Sequence, residues 1–250
     1  VLQAKTQLAG AQAARVRAQG ALRQAANRYR AVFGKAVADV AGLELPNVGS
    51  ISLPSDEEQV VKSALDHNPQ VRVSAITADI AEAQISQSFA TGYRPVVTAS
   101  AEHKYKRDVS GTLGTKNEQL LKVEATFEFN LGWTAQNTLL ASKAGQSAAA
   151  SRLKDTRYQI EEQARNAWHS LVTARENAQF LQNQANIASE FLNLARKERT
   201  LGQRSLIDVL SGETSLINAL AAADRAETDV SIAILSVLNV MGKLDVSVLQ

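Results

Sequence analysis

The sequence predicts a mainly α fold of long coiled-coil helices interrupted by a single β-hairpin. Three observations carry that expectation. Residues 1–34 and 209–242 are two copies of one segment, offset by 208 positions. Small or apolar residues recur at heptad spacing through both copies. Residues 121–131 abandon that spacing for strict alternation. Composition agrees, since 45% hydrophobic but only 5% aromatic residues, with 4 prolines in 250, suit long helices packed through small side chains.

The repeat is read position by position. Val1 and Leu2 align with Val209 and Leu210, Thr6 with Thr214, and Leu8 with Leu216. Ala11, Arg17, Ala18 and Ala25 match Ala219, Arg225, Ala226 and Ala233, and Gly34 closes one copy as Gly242 closes the other. A fixed offset means one structural unit used twice, here a helix ending at glycine. The chain starts inside the first copy, so it is read as the C-terminal part of a longer, internally duplicated protein. In the first copy the seam runs Ala4, Leu8, Ala11, Ala18, Leu22, Ala25, Tyr29 and Val32, interrupted by Arg15. In the second it is expected at Val209, Leu216, Ala223, Val230 and Val237, joined by Leu220, Ile234 and Met241. Heptads held this long predict left-handed supercoiled packing.

Residues 35–68 form a connection punctuated by Gly42, Pro46, Gly49 and Pro54, with Ser55 and Glu58 at capping-box spacing before a short helix to about Asp66. Asn68-Pro69 opens a helix over 69–92, running to about Phe89 and ending near Gly92. Residues 93–133 then change chemistry. Leu121, Val123, Ala125, Phe127, Phe129 and Leu131 alternate with polar residues, and Val97, Ala99, Ala101, His103 and Tyr105 alternate more weakly. Between them residues 107–119, with Gly111 and Gly114, read as a polar loop. An ordinary soluble β-pair is the base-rate reading. Strands near the nine to eleven residues of a tilted membrane strand, with Tyr93 and Trp133 at the hairpin ends, favour a membrane one. Residues 134–201 hold no proline and one glycine, Gly145, predicting a helix roughly 100 Å long. Residues 202–242 form a turn and a returning helix, and 243–250 a tail.

Whole classes of function are excluded or disfavoured. A net charge of +2 without basic clusters argues against nucleic acid. The absence of cysteine removes disulfides and thiolate metal sites. No apolar run approaches the 18 or so residues of a transmembrane helix. His67, His103 and His169 have no partner at ligand spacing, so neither metal nor cofactor is expected. Gly111–Gly114 reads as loop flexibility rather than a phosphate cradle. Nothing pairs a nucleophile with a base, and the chain is read as no enzyme.

A β-hairpin joined to helices of this length resembles the TolC-like outer-membrane factors, in their type I secretion-like branch. The most specific stretch is Leu201-Gly202-Gln203-Arg204-Ser205-Leu206-Ile207-Asp208-Val209-Leu210, similar to the family's periplasmic tip turn. Asn68-Pro69 and Tyr93-Arg94-Pro95 are also family-like. The resemblance spans nearly the whole chain, as the C-terminal repeat plus the last helix of the first. It implies an α-barrel of coiled-coil helices and membrane strands contributing to a trimeric β-barrel, of which this chain supplies one hairpin. The face of Leu121, Val123, Phe127, Phe129 and Leu131 would then meet outer-membrane lipid.

The tip has two readings. As a plain helix turn, Gly202 permits the reversal, Ser205 or Asp208 caps the returning helix, and Arg204 pairs with a carboxylate on a neighbouring helix. By resemblance, Arg204 falls on an arginine whose links keep the tunnel closed, and Asp208 on an aspartate ringing the constriction. Arg199 stands where the family's best-known member has a gate tyrosine, and Ser211 where it has a second aspartate, so one acidic ring is expected. The resemblance implies a homotrimer in the Gram-negative outer membrane with helices in the periplasm. Its partners would be a periplasmic adaptor protein and an inner-membrane transporter. The run Ala174-Arg175-Glu176-Asn177-Ala178, with Arg196-Lys197-Glu198-Arg199 to Asp208, looks most like members serving type I protein secretion. Multidrug efflux is the alternative within the family. A periplasmic coiled-coil adaptor is the alternative from another class.

Overall fold

The computed structural model describes residues 2–36, 53–107, 111, 113–127 and 132–245. Seven elements follow one another among these residues: α1 (Leu2–Phe33), α2 (Glu57–His67), α3 (Pro69–Tyr93), β1 (Val96–Arg107), β2 (Thr115–Thr126), α4 (Thr134–Thr200) and α5 (Leu206–Val240). The chain divides into two units. One comprises Val1–Ala64 and Glu162–Gln250, the other Leu65–Glu161. The 67 residues of α4 contribute to both.

In the unit of residues 65–161, α3 starts at an Asn68 cap whose side chain accepts the Gln70 N–H at 2.8 Å. Asn68 is buried, so this bond keeps a polar group satisfied away from water. Helix α3 packs antiparallel on the first part of α4. Ser74 meets Thr156 at 3.4 Å and Ser88 meets Ser142 at 2.7 Å, pairs that run in opposite directions. Buried Ala81 and Ala149 lie seven residues from both members of those pairs on their own helices. A heptad column of Ser, Ala and Thr therefore lets the two backbones approach closely. A Cβ on Gly92 would fall 2.9 Å from the Ala135 Cβ, which shows how close they come.

In the other unit, α5 returns antiparallel along the second part of α4. Leu192, Ala195 and Val209 form one buried cluster, with Leu216 against it. Ala185, Ala219 and Ala223 form the next, flanked by Leu181 and Ala188. On α5 the positions Val209, Ala223, Ile234, Val237 and Met241 are buried as the heptad expects. Leu220 corrects the expectation, being 45% exposed. The inner column is instead Gly212, Ala219, Ala226 and Ala233, each seven apart, because close helix approach selects small residues over bulky ones. By length and composition α5 is also apolar enough to cross a membrane, contrary to expectation. Of its apolar window 22% is buried, and Ile217, Leu220 and Ile232 of the same helix are exposed.

Local signals correct three details. The N-cap of α2 is Asp56, whose carboxylate accepts the Gln59 N–H at 2.9 Å, rather than Ser55 with Glu58. A charged acceptor outcompetes a hydroxyl there. Strand β2 begins at Thr115, so Thr115–Gln119 is strand rather than loop. Helix α3 continues to Tyr93, past Gly92. Both repeat copies end as expected at left-handed glycines, Gly34 at φ 71° and Gly242 at φ 68°.

Candidate channel elements: the hairpin and the tip turn

The hairpin register separates two chemistries. Val97 pairs with Ala125, Ala99 with Val123, Ala101 with Leu121, His103 with Gln119 and Tyr105 with Asn117. Opposed residues share a face, so this face is apolar from the Val97–Ala125 pair to the Ala101–Leu121 pair and polar toward the strand connection, and Val123 and Leu121 are 70% and 84% exposed on it. The other face carries Thr98 opposite Glu124, Ser100 opposite Lys122, Glu102 opposite Leu120, Lys104 opposite Glu118 and Lys106 opposite Lys116, so it is mainly polar with one exposed leucine. Glu118 bridges the two facing lysines and offsets their repulsion, contacting Lys106 at 2.6 Å and Lys116 at 2.9 Å. Lys104 pairs with Glu102 at 2.8 Å on the same face. An exposed apolar face backed by an ion-pair ladder suits a strand pair between lipid and water. Phe127 continues the apolar face and is exposed, while Phe129 and Leu131 lie outside the described residues.

Aromatic residues mark the helix end of the hairpin. The Phe89 and Tyr93 rings stack at 5.2 Å, and the Arg94 guanidinium lies 5.8 Å from the Phe89 centroid. Trp133, 72% exposed, sits just before α4. Amphipathic rings flanked by cations are what a membrane interface favours.

At the other end of α4, Gly202 takes φ 75° and closes the helix with a paired cap. Its N–H donates to the Arg199 carbonyl and the Gln203 N–H to the Glu198 carbonyl, both at 2.9 Å. Ser205 then caps α5, its hydroxyl accepting the Asp208 N–H at 3.2 Å, which decides between the two capping candidates. Asp208 stands in the first turn, where a carboxylate complements the helix dipole. Arg204 pairs with Glu198 of its own chain, Nε to Oε2 at 2.7 Å, with its guanidinium 5.1 Å from the Phe191 ring centroid.

The structure gathers Arg204, Asp208 and Ser211 around one open groove of about 500 Å³, with Phe191, Ser205 and Gly212 also lining it. Arg199 is exposed at the end of α4 and does not line this groove. Sequence spacing does not single out Phe191, Glu198 or Gly212, because their role depends on distances across the turn. The seven-residue step from Phe191 to Glu198, which places both on one face, is the only hint.

The family model for outer membrane efflux proteins matches residues 60–243. The chain belongs to the outer membrane efflux protein family. It is 24% identical over 246 residues to the outer membrane efflux protein BepC of Brucella suis, a match covering 96% of this chain and 53% of BepC. Its fold is similar to the open-state outer membrane channel MtrE of Neisseria gonorrhoeae, with a TM-score of 0.75, 19% identity, and coverage of 93% of this chain and 53% of MtrE. It is also similar to the outer membrane protein VceC of Vibrio cholerae, with a TM-score of 0.70, 20% identity, and coverage of 97% and 57%. The chain thus spans about half the length of the curated relative it matches. Family membership locates it in the Gram-negative outer membrane, with its helices in the periplasm. The family and its solved neighbours are channel proteins.

Proposed function

We propose that this chain is part of a trimeric conduit that carries substrates through the periplasm and across the outer membrane. The hairpin register is the observation that carries the proposal, since in the half nearer the helices it sorts Val97, Ala99, Ala101, Leu121, Val123 and Ala125 onto one face and Thr98, Ser100, Lys122 and Glu124 onto the other. In this reading Leu121, Val123 and Phe127 meet lipid, with Phe129 and Leu131 continuing the face. The ladder of Glu102, Lys104, Lys106, Lys116, Glu118, Lys122 and Glu124 meets the lumen. Three such protomers close a shared β-barrel, because closure removes the unpaired edges that an isolated hairpin leaves in lipid.

The helices support assembly with neighbouring copies. Besides its buried seam, α4 and the turn after it carry a second heptad stripe, Phe180, Ile187, Leu194 and Leu201, exposed by 69%, 67%, 54% and 72%. A helix with two seams needs neighbours on both sides, the arrangement of a helical barrel. At the tip, three Asp208 carboxylates form an acidic ring that favours cations, with Gly202 making the turn and Arg204, Arg199 and Ser211 around it. The conduit works passively with a periplasmic adaptor and an inner-membrane transporter that supplies energy. The run of residues 174–178 supports type I protein secretion as the pathway served, whereas the name of the relative BepC supports efflux. Complementation of a deletion strain, scored for a secreted protein and for tolerance of small toxic compounds, separates these two.

The test of the conduit itself compares two arginine substitutions at one depth in the full-length protein. Val123→Arg, on the apolar face, should cost roughly 2–4 kcal/mol and abolish membrane assembly. Thr98→Arg, on the charged face, should assemble normally. Equal effects would remove the lipid-facing assignment and the barrel with it.

A further inference from the structure

Resemblance implies an Arg204 whose links keep the tunnel closed, and this side chain is already engaged within its own chain. Its Nε donates to Glu198 at 2.7 Å while its guanidinium carbon lies over the Phe191 ring, 5.1 Å from the centroid. Both Arg204 and Glu198 side chains are about two-thirds covered, so the pair is shielded from the solvent that weakens surface ion pairs. Phe191 lies beside Gly212, where an added Cβ would meet Phe191 Cε1 and Leu192 Cδ1 at 3.4 Å each, ordinary contact distance. The paired cap at Gly202 brings residues 198 and 204 together across the turn.

We propose that Phe191 and Glu198 are positioning residues that hold Arg204 within its own protomer and so fix the set-point of the tip constriction. The proposal rests on the conduit reading. Guanidinium has five N–H donors in a rigid plane. With Nε bound to Glu198 and the guanidinium carbon 5.1 Å from the Phe191 ring centroid, the side chain has two restraints within its own chain, beside the groove that Asp208 and Ser211 line. Releasing either restraint lets the side chain sample other rotamers, and the tip loosens as it would without Arg204. A link made chiefly between protomers behaves oppositely, because losing Glu198 frees Arg204 to bind a neighbour more tightly.

The experiment uses the full-length protein with Glu198→Gln, Phe191→Leu, Phe191→Tyr and Arg204→Ala, and two independent readouts. The first is the rate of tryptic cleavage after Arg204, which follows how often the turn opens enough for the side chain and its flanking backbone to enter the protease. The second is single-channel conductance in planar bilayers. Helix content and trimer yield confirm that each variant folds. Expected are roughly tenfold faster cleavage and severalfold higher conductance for Glu198→Gln and Phe191→Leu. Phe191→Tyr keeps the aromatic face and should behave as wild type. Glu198→Gln combined with Arg204→Ala should conduct as Arg204→Ala alone. Unchanged cleavage in Glu198→Gln and Phe191→Leu would overturn the proposal whatever the currents do. So would a lower conductance in Glu198→Gln, the signature of a link between protomers. A wild type that carries no current would overturn the conduit reading instead, while the cleavage arm still decides whether Arg204 is held.

Discussion

Helices α1 and α5 are built on the same segment and end in the same left-handed glycine, yet one is covered and the other is bare. Ala219, Ala226 and Ala233 of α5 are buried, at 6%, 2% and 9% exposure. Their counterparts 208 positions earlier, Ala11, Ala18 and Ala25, are exposed, as are Leu8, Leu22, Tyr29 and Val32 along the same seam. The difference is the partner. Helix α5 lies along α4, which offers Leu181, Ala185, Leu192 and Ala195 at matching heptad steps, whereas α1 only touches α5. Arg15 occupies the position where α5 buries Ala223, so the two seams do not ask for identical neighbours. A heptad pattern therefore declares a need for a partner and leaves open who supplies it. In the proposed conduit, neighbouring helices of the assembled trimer cover α1.

Matched substitutions break or sharpen this comparison. The largest effect is expected for Ala226→Glu, which leaves an uncompensated charge in the α4–α5 seam and costs about 3–5 kcal/mol. Its repeat partner Ala18→Glu should stay within about 0.5 kcal/mol in the 250-residue chain, as exposed positions do. Urea unfolding of both variants measures the gap. Next comes a pair expected to differ in sign. Gly212→Leu must push into Phe191 and Leu192 and should lose about 1–3 kcal/mol. Gly20→Leu, with nothing within 4 Å of its Cβ, should gain roughly 0.8 kcal/mol of helix propensity. Losses of equal size would mean that α1 is already packed. The smallest effect asks whether the order of α5 comes from its cap rather than its seam. Ser205→Ala removes the acceptor of the Asp208 N–H and should cost about 1 kcal/mol. A loss as large as that of Ala226→Glu would make the cap the dominant support.

Much of this architecture is legible in the residues because it is periodic. The repeat locates Ala11, Ala18 and Ala25 opposite Ala219, Ala226 and Ala233, and alternation from Leu121 to Phe127 marks one face of β2. Where periodicity ends, legibility ends too. Leu220 looks like a seam residue by size, but the closeness of α4 and α5 gives the inner column to Gly212 and the alanines. Thr115–Gln119 looks like a loop because every side chain is polar, yet backbone pairing propagates through it, with Glu118 in ion pairs to Lys106 and Lys116 on its surface. The restraint on Arg204 is invisible for a third reason. It joins Phe191, Glu198 and Gly212 across a turn whose geometry no spacing rule encodes.

Thiol labelling tests the central claim most directly, because these residues contain no other cysteine. Ala18→Cys and Ala226→Cys are compared in the 250-residue chain and in the full-length protein assembled in membranes. In the chain alone Ala18→Cys should label fast and Ala226→Cys slowly. In the assembled protein both should label slowly, since the seam of α1 is then covered as that of α5 already is. Fast labelling of Ala18→Cys in the assembled protein, at the rate seen in the chain alone, would contradict the account.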